Sequence, residues 1–249
     1  MKYGICHLSI VPLRAEAADT SEMVTQVLYG EQFKVLEHRK KWSRIRLDFD
    51  GYEGWIDTKQ FVFISEEIFT DLRKQTPRLS SDLVDFVASE EGQLLSICMG
   101  STLNASNYLK HSFDGKMVSK KFPKKHLVET ALLYLNAPYL WGGKTPFGID
   151  CSGFTQMVYK LNGHRLKRDA SQQATQGEAL SFIEESEPGD LAFFDNAEGA
   201  ITHVGIIMKD HYIIHAHGKV RIDRIDHTGI FNYEKRTHTH KLRVIKRIV

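Results

Sequence analysis

The sequence predicts an α+β protein whose last half packs helices on a mostly antiparallel sheet, preceded by a small β-barrel. Three observations carry this. The first 65 residues fall into short segments of partial period-2 alternation separated by turn residues. Beyond residue 123 two stretches place apolar residues at helical spacing, and apolar strand-like runs follow them. Helices first and strands afterwards is the α+β order.

In the barrel, VTQVLYG (24–30), QFKVLEHR (32–39), WSRIRLDF (42–49) and GWIDTKQFVFI (54–64) read as strands. Gly30-Glu31, Lys40-Lys41 and Asp50-Gly51 supply the turns. The charged stretch SEEIFTDLRKQTPR (65–78), punctuated by Pro77, reads as a linker. In 79–122, LVDFVAS (83–89), QLLSICM (93–99) and the following N-A-S-N-Y-L suit a second small β module, and the Asp-Gly of HSFDGKMVS (111–119) suits a hairpin. The expected organisation is therefore a barrel over 1–65, a linker with a possible second module over 66–122, and a larger domain over 123–249. In that domain, KKHLVETALLYLN (124–136) puts Leu127, Ala131, Tyr134 and Leu135 on one helical face, ended by Pro138. FTQMVYKLNG (154–163) does the same with Phe154, Met157, Val158 and Leu161, closed by Asn162-Gly163. LAFFD (191–195), HVGIIM (203–208), YIIHAH (212–217) and HKLRVIKRIV (240–249) read as strands.

Composition narrows the function classes. The 249 residues are 42% hydrophobic and 26% charged, enough for a sizeable core. Thirty-three Lys and Arg against 31 Asp and Glu leave +2, no electrostatic footprint for nucleic acid or an anionic membrane. No apolar run approaches a transmembrane helix. Cys6, Cys98 and Cys151 are an odd, scattered set with no C-x-x-C pair, which supports neither a disulfide framework nor a zinc ribbon. MKYGICHLSIVPLRAE lacks the design of a secretory leader. The expectation is a reduced, cytoplasmic protein without metal or cofactor.

Cys151 carries the first chemical signal. It sits in G-I-D-C-S-G-F just before a helix, where the dipole and free N–H groups favour thiolate, and Gly148 and Gly153 permit a tight entry. A lone Cys there also reads as buried and inert. The candidate bases are His203 and His215, on a hairpin turning near Lys209-Asp210. A three-residue loop centred on 209 sets His203 opposite His215; centred on 210, it sets His203 opposite His217 and diagonal to His215. A two-residue loop would turn the histidines to the wrong face. Catalysis thus requires an odd loop or a bulge, so that one histidine takes the thiol proton and the other orients it. The chain has 12 histidines, and His211, His227, His238 and His240 are expected mainly at the surface, with His217 a competitor for the third position. A Cys-His-His trio so dispersed is a weak metal signal.

P-Y-L-W-G-G (138–143), G-I-D-C-S-G-F (148–154), R-D-A-S-Q-Q (168–173), P-G-D-L-A-F-F (188–194), H-V-G-I-I (203–207) and Y-I-I-H-A (212–216) occur in this order. Together they resemble the NlpC/P60 family of papain-like cysteine peptidases over roughly the last half of the chain. D-G-Y-E-G-W (50–55) resembles the bacterial SH3 modules that precede this domain in cytoplasmic recycling members. The resemblance implies Cys151 as nucleophile, His203 as general base, His215 as the neutral third member, and Tyr139 beside the oxyanion. For Tyr139, packing under Trp141 is the plain alternative. The resemblance further implies Asp150, Ser152 and Ser171 around the free amine of a terminal L-Ala, with Tyr52 and Glu22 of the SH3-like domain beside them. Asp150 also reads as a helix N-cap, a role compatible with the first, and Tyr52 equally as barrel packing. The implied activity is that of a γ-D-glutamyl-L-diamino acid endopeptidase cutting short murein peptides during recycling, with diaminopimelate or Lys in the third position. A related cysteine amidase or acyltransferase, and a non-catalytic binder of cell-wall peptides, are the rival readings.

Overall fold

The computed structural model describes residues 2–249, which divide into two units, one running to Lys120 and the other Lys121–Val249. In the first, seven strands form the barrel: β1 (Lys2–Ile5), β2 (Ile10–Arg14), β3 (Met23–Leu28), β4 (Gln32–His38), β5 (Trp42–Leu47), β6 (Glu53–Asp57) and β7 (Val62–Ile64). They pair antiparallel in the order β3-β2-β6-β5-β4-β1-β7. Alternation sets the inside: Val11, Leu13, Phe33, Val35, Ile45, Leu47 and Ile56 meet Cys6, Val27 and Phe61 in one core. The Lys40-Lys41 turn closes on the Arg39 N–H to Trp42 O bond, 2.8 Å. The Asp50-Gly51 turn closes through the Asp50 side chain, which accepts from Tyr52 N. The four-residue strand β1 and the Pro-containing β2 escape a pattern search because they are short and broken by Gly4 and Pro12.

The expected linker is a helix, α1 (Glu66–Lys74). Ser65 accepts from Ile68 N, Glu66 and Glu67 occupy the positive end, and Arg73 and Lys74 the negative end. Its charges are those of a capped helix with Phe69 and Leu72 buried beneath. Beyond it lie β8 (Leu79–Ser80), β9 (Val84–Ser89), β10 (Leu94–Cys98), β11 (His111–Ser112) and β12 (Met117–Val118). The 83–89 and 93–99 strands thus exist as a hairpin, but two expectations here fail. N-A-S-N-Y-L is a run of turns closed by backbone bonds from Leu109 N to Ala105 O and Lys110 N to Asn107 O, and the Asn104 side chain ties it to the distant segment before β8, accepting from Arg78 N and donating to Thr76 O. HSFDGKMVS is not a hairpin either, since β11 pairs with β9 and β12 with β8.

The second unit begins with α2 (His126–Leu132), then β13 (Lys144–Thr145), β14 (Gly148–Ile149), α3 (Cys151–Leu161) and α4 (Ala170–Gln173). The strands β15 (Glu178–Leu180), β16 (Leu191–Asp195), β17 (Ile201–Ile207), β18 (Tyr212–His217), β19 (Lys219–Ile225), β20 (Gly229–Asn232) and β21 (Thr237–Arg247) follow. Their sheet runs β15-β21-β16-β17-β18-β19-β20, every pairing antiparallel, with β21 also paired to β20. One sheet face closes over Ala192, Phe194, Ile207, Ile213, Ile225, Ile230 and Ile245. Every residue of α3 is buried, and it packs on β17 and β18. That packing brings the start of α3 to the strands that carry the histidines.

Candidate active site

Cys151 is the first residue of α3, three residues ahead of the expected helix start. The cap explains the difference: Asp150 keeps extended backbone, and its Oδ1 accepts from Gly153 N at 2.6 Å. Gly153 is required there, since a Cβ would meet the Gly143 carbonyl oxygen. The Asp150 carboxylate also accepts from Gly142 N at 2.8 Å, from Ser152 Oγ at 3.3 Å, and bidentately from Arg168 at 2.6 and 3.0 Å. Arg168, 1% exposed, also donates to Ser152 Oγ at 3.0 Å. A carboxylate offers about four lone-pair sites, and these donors fill them. Asp150 and Ser152 thus brace one another on either side of Cys151, and the cap, one of the two roles read for Asp150, is present.

The thiol is not the ready thiolate that the helix terminus alone implies. Burial, then the neighbouring Asp150 charge, push the Cys151 thiol up to about 12, against smaller opposing contributions from backbone N–H groups and Arg168. Its Sγ lies 4.0 Å from Thr202 O, on the strand that carries His203.

The hairpin of β17 and β18 has the odd loop that catalysis requires. Gly205 pairs with His215, Ile206 with Ile214 and Ile207 with Ile213, so the loop is Lys209-Asp210-His211, centred on 210. Asp210 and His211 both adopt left-handed backbone, φ 58° and 59°. Continued, this register sets His203 across from His217 and diagonal to His215. The diagonal pair is the bonded one: His203 Nε2 lies 2.8 Å from His215 Nδ1, whereas the His203 and His217 ring centroids are 6.4 Å apart. His217 is exposed and His215 fully buried.

A fourth member stands behind them. His215 Nε2 lies 3.1 Å from Asp223 Oδ2, and Asp223 is held in turn by Arg221 at 2.7 and 3.0 Å. Burial alone would raise the Asp223 carboxyl, but the hydrogen bonds from His215 and Arg221 outweigh it and hold the group below the usual carboxylate range. An ionised carboxylate only accepts, so His215 carries its proton on Nε2 and its Nδ1 accepts from His203 Nε2–H. That leaves His203 Nδ1 unprotonated. His203 is held well below the ordinary imidazole value by burial first, then by His215, His240 and His217, so it rests neutral. The orienting histidine was expected to work without negative charge, and the structure supplies that charge one residue further out.

The remaining candidates divide by unit. Tyr139 is half-buried, joined through the Tyr139–Ile149 bridge to the strand entering Cys151. Burial, then the proximity of Cys151 and Asp150, push its hydroxyl up to about 12, which keeps it a neutral donor. Ser171 is exposed on α4. Tyr52 and Glu22 belong to the first unit, where Tyr52 packs against the barrel core and Glu22 is exposed on the loop before β3. His211, His227 and His238 are exposed as expected, but His240 is half-buried, and its ring stacks on His203 at 4.2 Å and 25°. Asp223 and His240 are the residues that sequence reasoning missed. Among the described residues no three His, Cys, Asp or Glu side chains are arranged to hold a metal ion.

With this geometry established, comparison with known proteins is informative. Residues 136–240 match the model of the NlpC/P60 family, and residues 13–61 that of the bacterial dipeptidyl-peptidase SH3 domain. The chain is 30% identical over 216 residues to the gamma-D-glutamyl-L-lysine dipeptidyl-peptidase of Bacillus subtilis (strain 168), covering 77% of this chain and 71% of the relative. Dipeptidyl-peptidase 6 of Lysinibacillus sphaericus is 27% identical over 235 residues, covering 82% and 83%. An NlpC/P60 family protein of Bacillus cereus has a crystal structure that superposes with a TM-score of 0.80 at 21% identity, covering 99% of both chains. That likeness concerns the fold.

Proposed function

Because the chain belongs to the NlpC/P60 peptidase family, we propose that it is a cysteine endopeptidase that cuts the bond between γ-D-glutamate and a diamino acid in short cell-wall peptides, releasing an N-terminal dipeptide. One observation carries the chemistry: a neutral, buried His203 is anchored through His215 to Asp223, on the strand against which Cys151 Sγ lies. His203 Nδ1 takes the thiol proton as Sγ attacks the amide carbonyl, and the imidazolium is stabilised through His215 by the Asp223 carboxylate. The tetrahedral oxyanion is received by the Tyr139 hydroxyl and the Cys151 backbone N–H. His203 then protonates the departing amine, and water, deprotonated by the same imidazole, hydrolyses the thioester to a free carboxylate and thiol.

The substrate class rests on the relatives, whose names specify a γ-D-glutamyl-L-lysine linkage and dipeptide release. We further propose that the enzyme works in the cytoplasm, in peptide recycling, a reading supported by its free Cys6, Cys98 and Cys151. The test is mass spectrometry of L-Ala-γ-D-Glu-diaminopimelate and its Lys counterpart, each with and without an N-acetyl group, beside Cys151→Ala. Cleavage of the free-amine peptides, absent in the variant, is the expected result. Cleavage of acetylated and free peptides alike would discard dipeptide release from a free terminus. Cleavage of none would replace the peptidase reading with an amidase or a binding protein.

A further inference from the structure

We propose that His240 is a positioning residue for His203: its imidazole lies flat against the general base and fixes the plane in which Nδ1 addresses Cys151. This rests on the nucleophile–base reading above. The single hydrogen bond from His203 Nε2 to His215 sets the direction of the ring but leaves rotation about that bond. A second ring stacked at 4.2 Å and 25° removes the rotation.

The backbone is built to deliver that ring. His238 and His240 are two apart, and in a regular strand would share a face. Opposite β20, however, the register passes from Ile230↔His240 to Phe231↔His238, which leaves Thr239 as an extra residue. Such a bulge re-aims its neighbours. His238 turns outward to Asp226, at 2.9 Å, while His240 turns in against His203. Thr239 Oγ1 lies 2.9 Å from His240 Nδ1 and fixes its ring. Gly229, at φ 149°, lies against the His240 carbonyl, where any Cβ would collide.

The charges around it are consistent with this role. His240 faces His203 on β17, His215 and His217 on β18, Asp223 on β19 and, less closely, the Phe194 ring on β16; from α3, Cys151 Sγ lies 4.0 Å from Thr202 O, the residue before His203. Burial first, then His215 and His217, bring His240 down to about 4 against the pull of Asp223. At neutral pH it is uncharged, so the imidazolium formed on His203 meets no second cation.

The experiment measures Cys151 alkylation by iodoacetamide, which needs no knowledge of the substrate, together with kcat and KM for the peptide, from about pH 5 to about pH 9. His240→Ala is expected to lower kcat about tenfold with KM changed less than about twofold, as for misplacement of a catalytic group. It should also move the acid limb of both profiles up towards the ordinary imidazole value. His240→Phe, which keeps a stacked ring, should stay within about threefold of the parent with its limb in place. Should His240→Ala not fold, His240→Gln takes its place with the same expectation. Unchanged limbs and rates in the ring-less variant would overturn the proposal, and so would a loss in His240→Phe as large as in His240→Ala. A His203→Ala variant whose alkylation profile matches the parent would instead overturn the underlying pair.

Discussion

Asp223 changes what His215 does. A histidine alone as third member fixes the tautomer of the base, whereas a histidine backed by an ionised carboxylate also stabilises the imidazolium that forms on His203 during attack. Asp223→Asn keeps the shape and an acceptor oxygen but removes the charge. We expect kcat to fall about tenfold or more with KM nearly unchanged, since the lost interaction strengthens only in the transition state. Steady-state kinetics decide, and a loss under about twofold would leave Asp223 a purely structural partner of Arg221. The same residues set the pH dependence. Because the thiol lies near 12 and His203 well below 6.5, the resting pair is neutral thiol and neutral imidazole. Activity requires His203 unprotonated, so the acid limb of kcat/KM should lie below 6.5 and the alkaline limb above the ordinary thiol value of 9.0. Limbs straddling neutrality, at about pH 6 and about pH 8, would mean that a thiolate–imidazolium pair forms instead.

At the scale of elements, the β17–β18 loop does the most for function. Its three residues hold His203 and His215 on one face, and a strand slipped by one residue turns its whole inner set outward. Deleting Asp210 should therefore reduce activity more than about a hundredfold. Asp210→Gly, at a left-handed position, should leave activity intact and stabilise the chain by up to about 1 kcal/mol. Thermal unfolding and peptide hydrolysis test the two together; an active deletion variant would refute the register argument. The parity of this hairpin was legible only through the catalytic requirement that both histidines share a face, and the choice between a loop centred on 209 and one centred on 210 stayed open until the register was seen. β16 and β18 match their sequence runs, Leu191–Asp195 and Tyr212–His217, residue for residue. β19 was not legible: its buried positions are Val220, Asp223 and Ile225, which break period 2 and put a carboxylate inside. His240 was hidden for a similar reason, since a bulge at Thr239 reverses the face that regular alternation assigns. The charge pattern of α1 was in plain view, but runs of Glu, Arg and Lys fit a solvated linker until the Ser65 cap and the buried Phe69 and Leu72 are considered together.

At the scale of the whole molecule, the site makes the fold sensitive to acid. His203, His215, His217 and His240 all have imidazoles held below their ordinary value of 6.5, with burial the leading cause in each, and His7, His111 and His164 outside the site add to them in the same direction. The unfolded chain therefore binds more protons than the folded one once pH falls below about 6.5, and linkage makes stability fall with pH in that range. The decline continues down through each folded value, which for His240 is about 4. Asp223 acts in the same direction but lower: its depressed carboxyl contributes stability above the ordinary 3.8 that is lost only beneath it. Between about pH 6.5 and about pH 4 the histidines dominate this effect. The melting temperature of the full chain should hence drop progressively over that interval. His240→Phe, which deletes one of the titrating groups and keeps its ring, should make the drop shallower. Calorimetry across the interval measures both slopes. A parent chain with constant melting temperature, or a variant as steep as the parent, would show that the four imidazoles are not held neutral by the fold, and the neutral resting pair would fall with them.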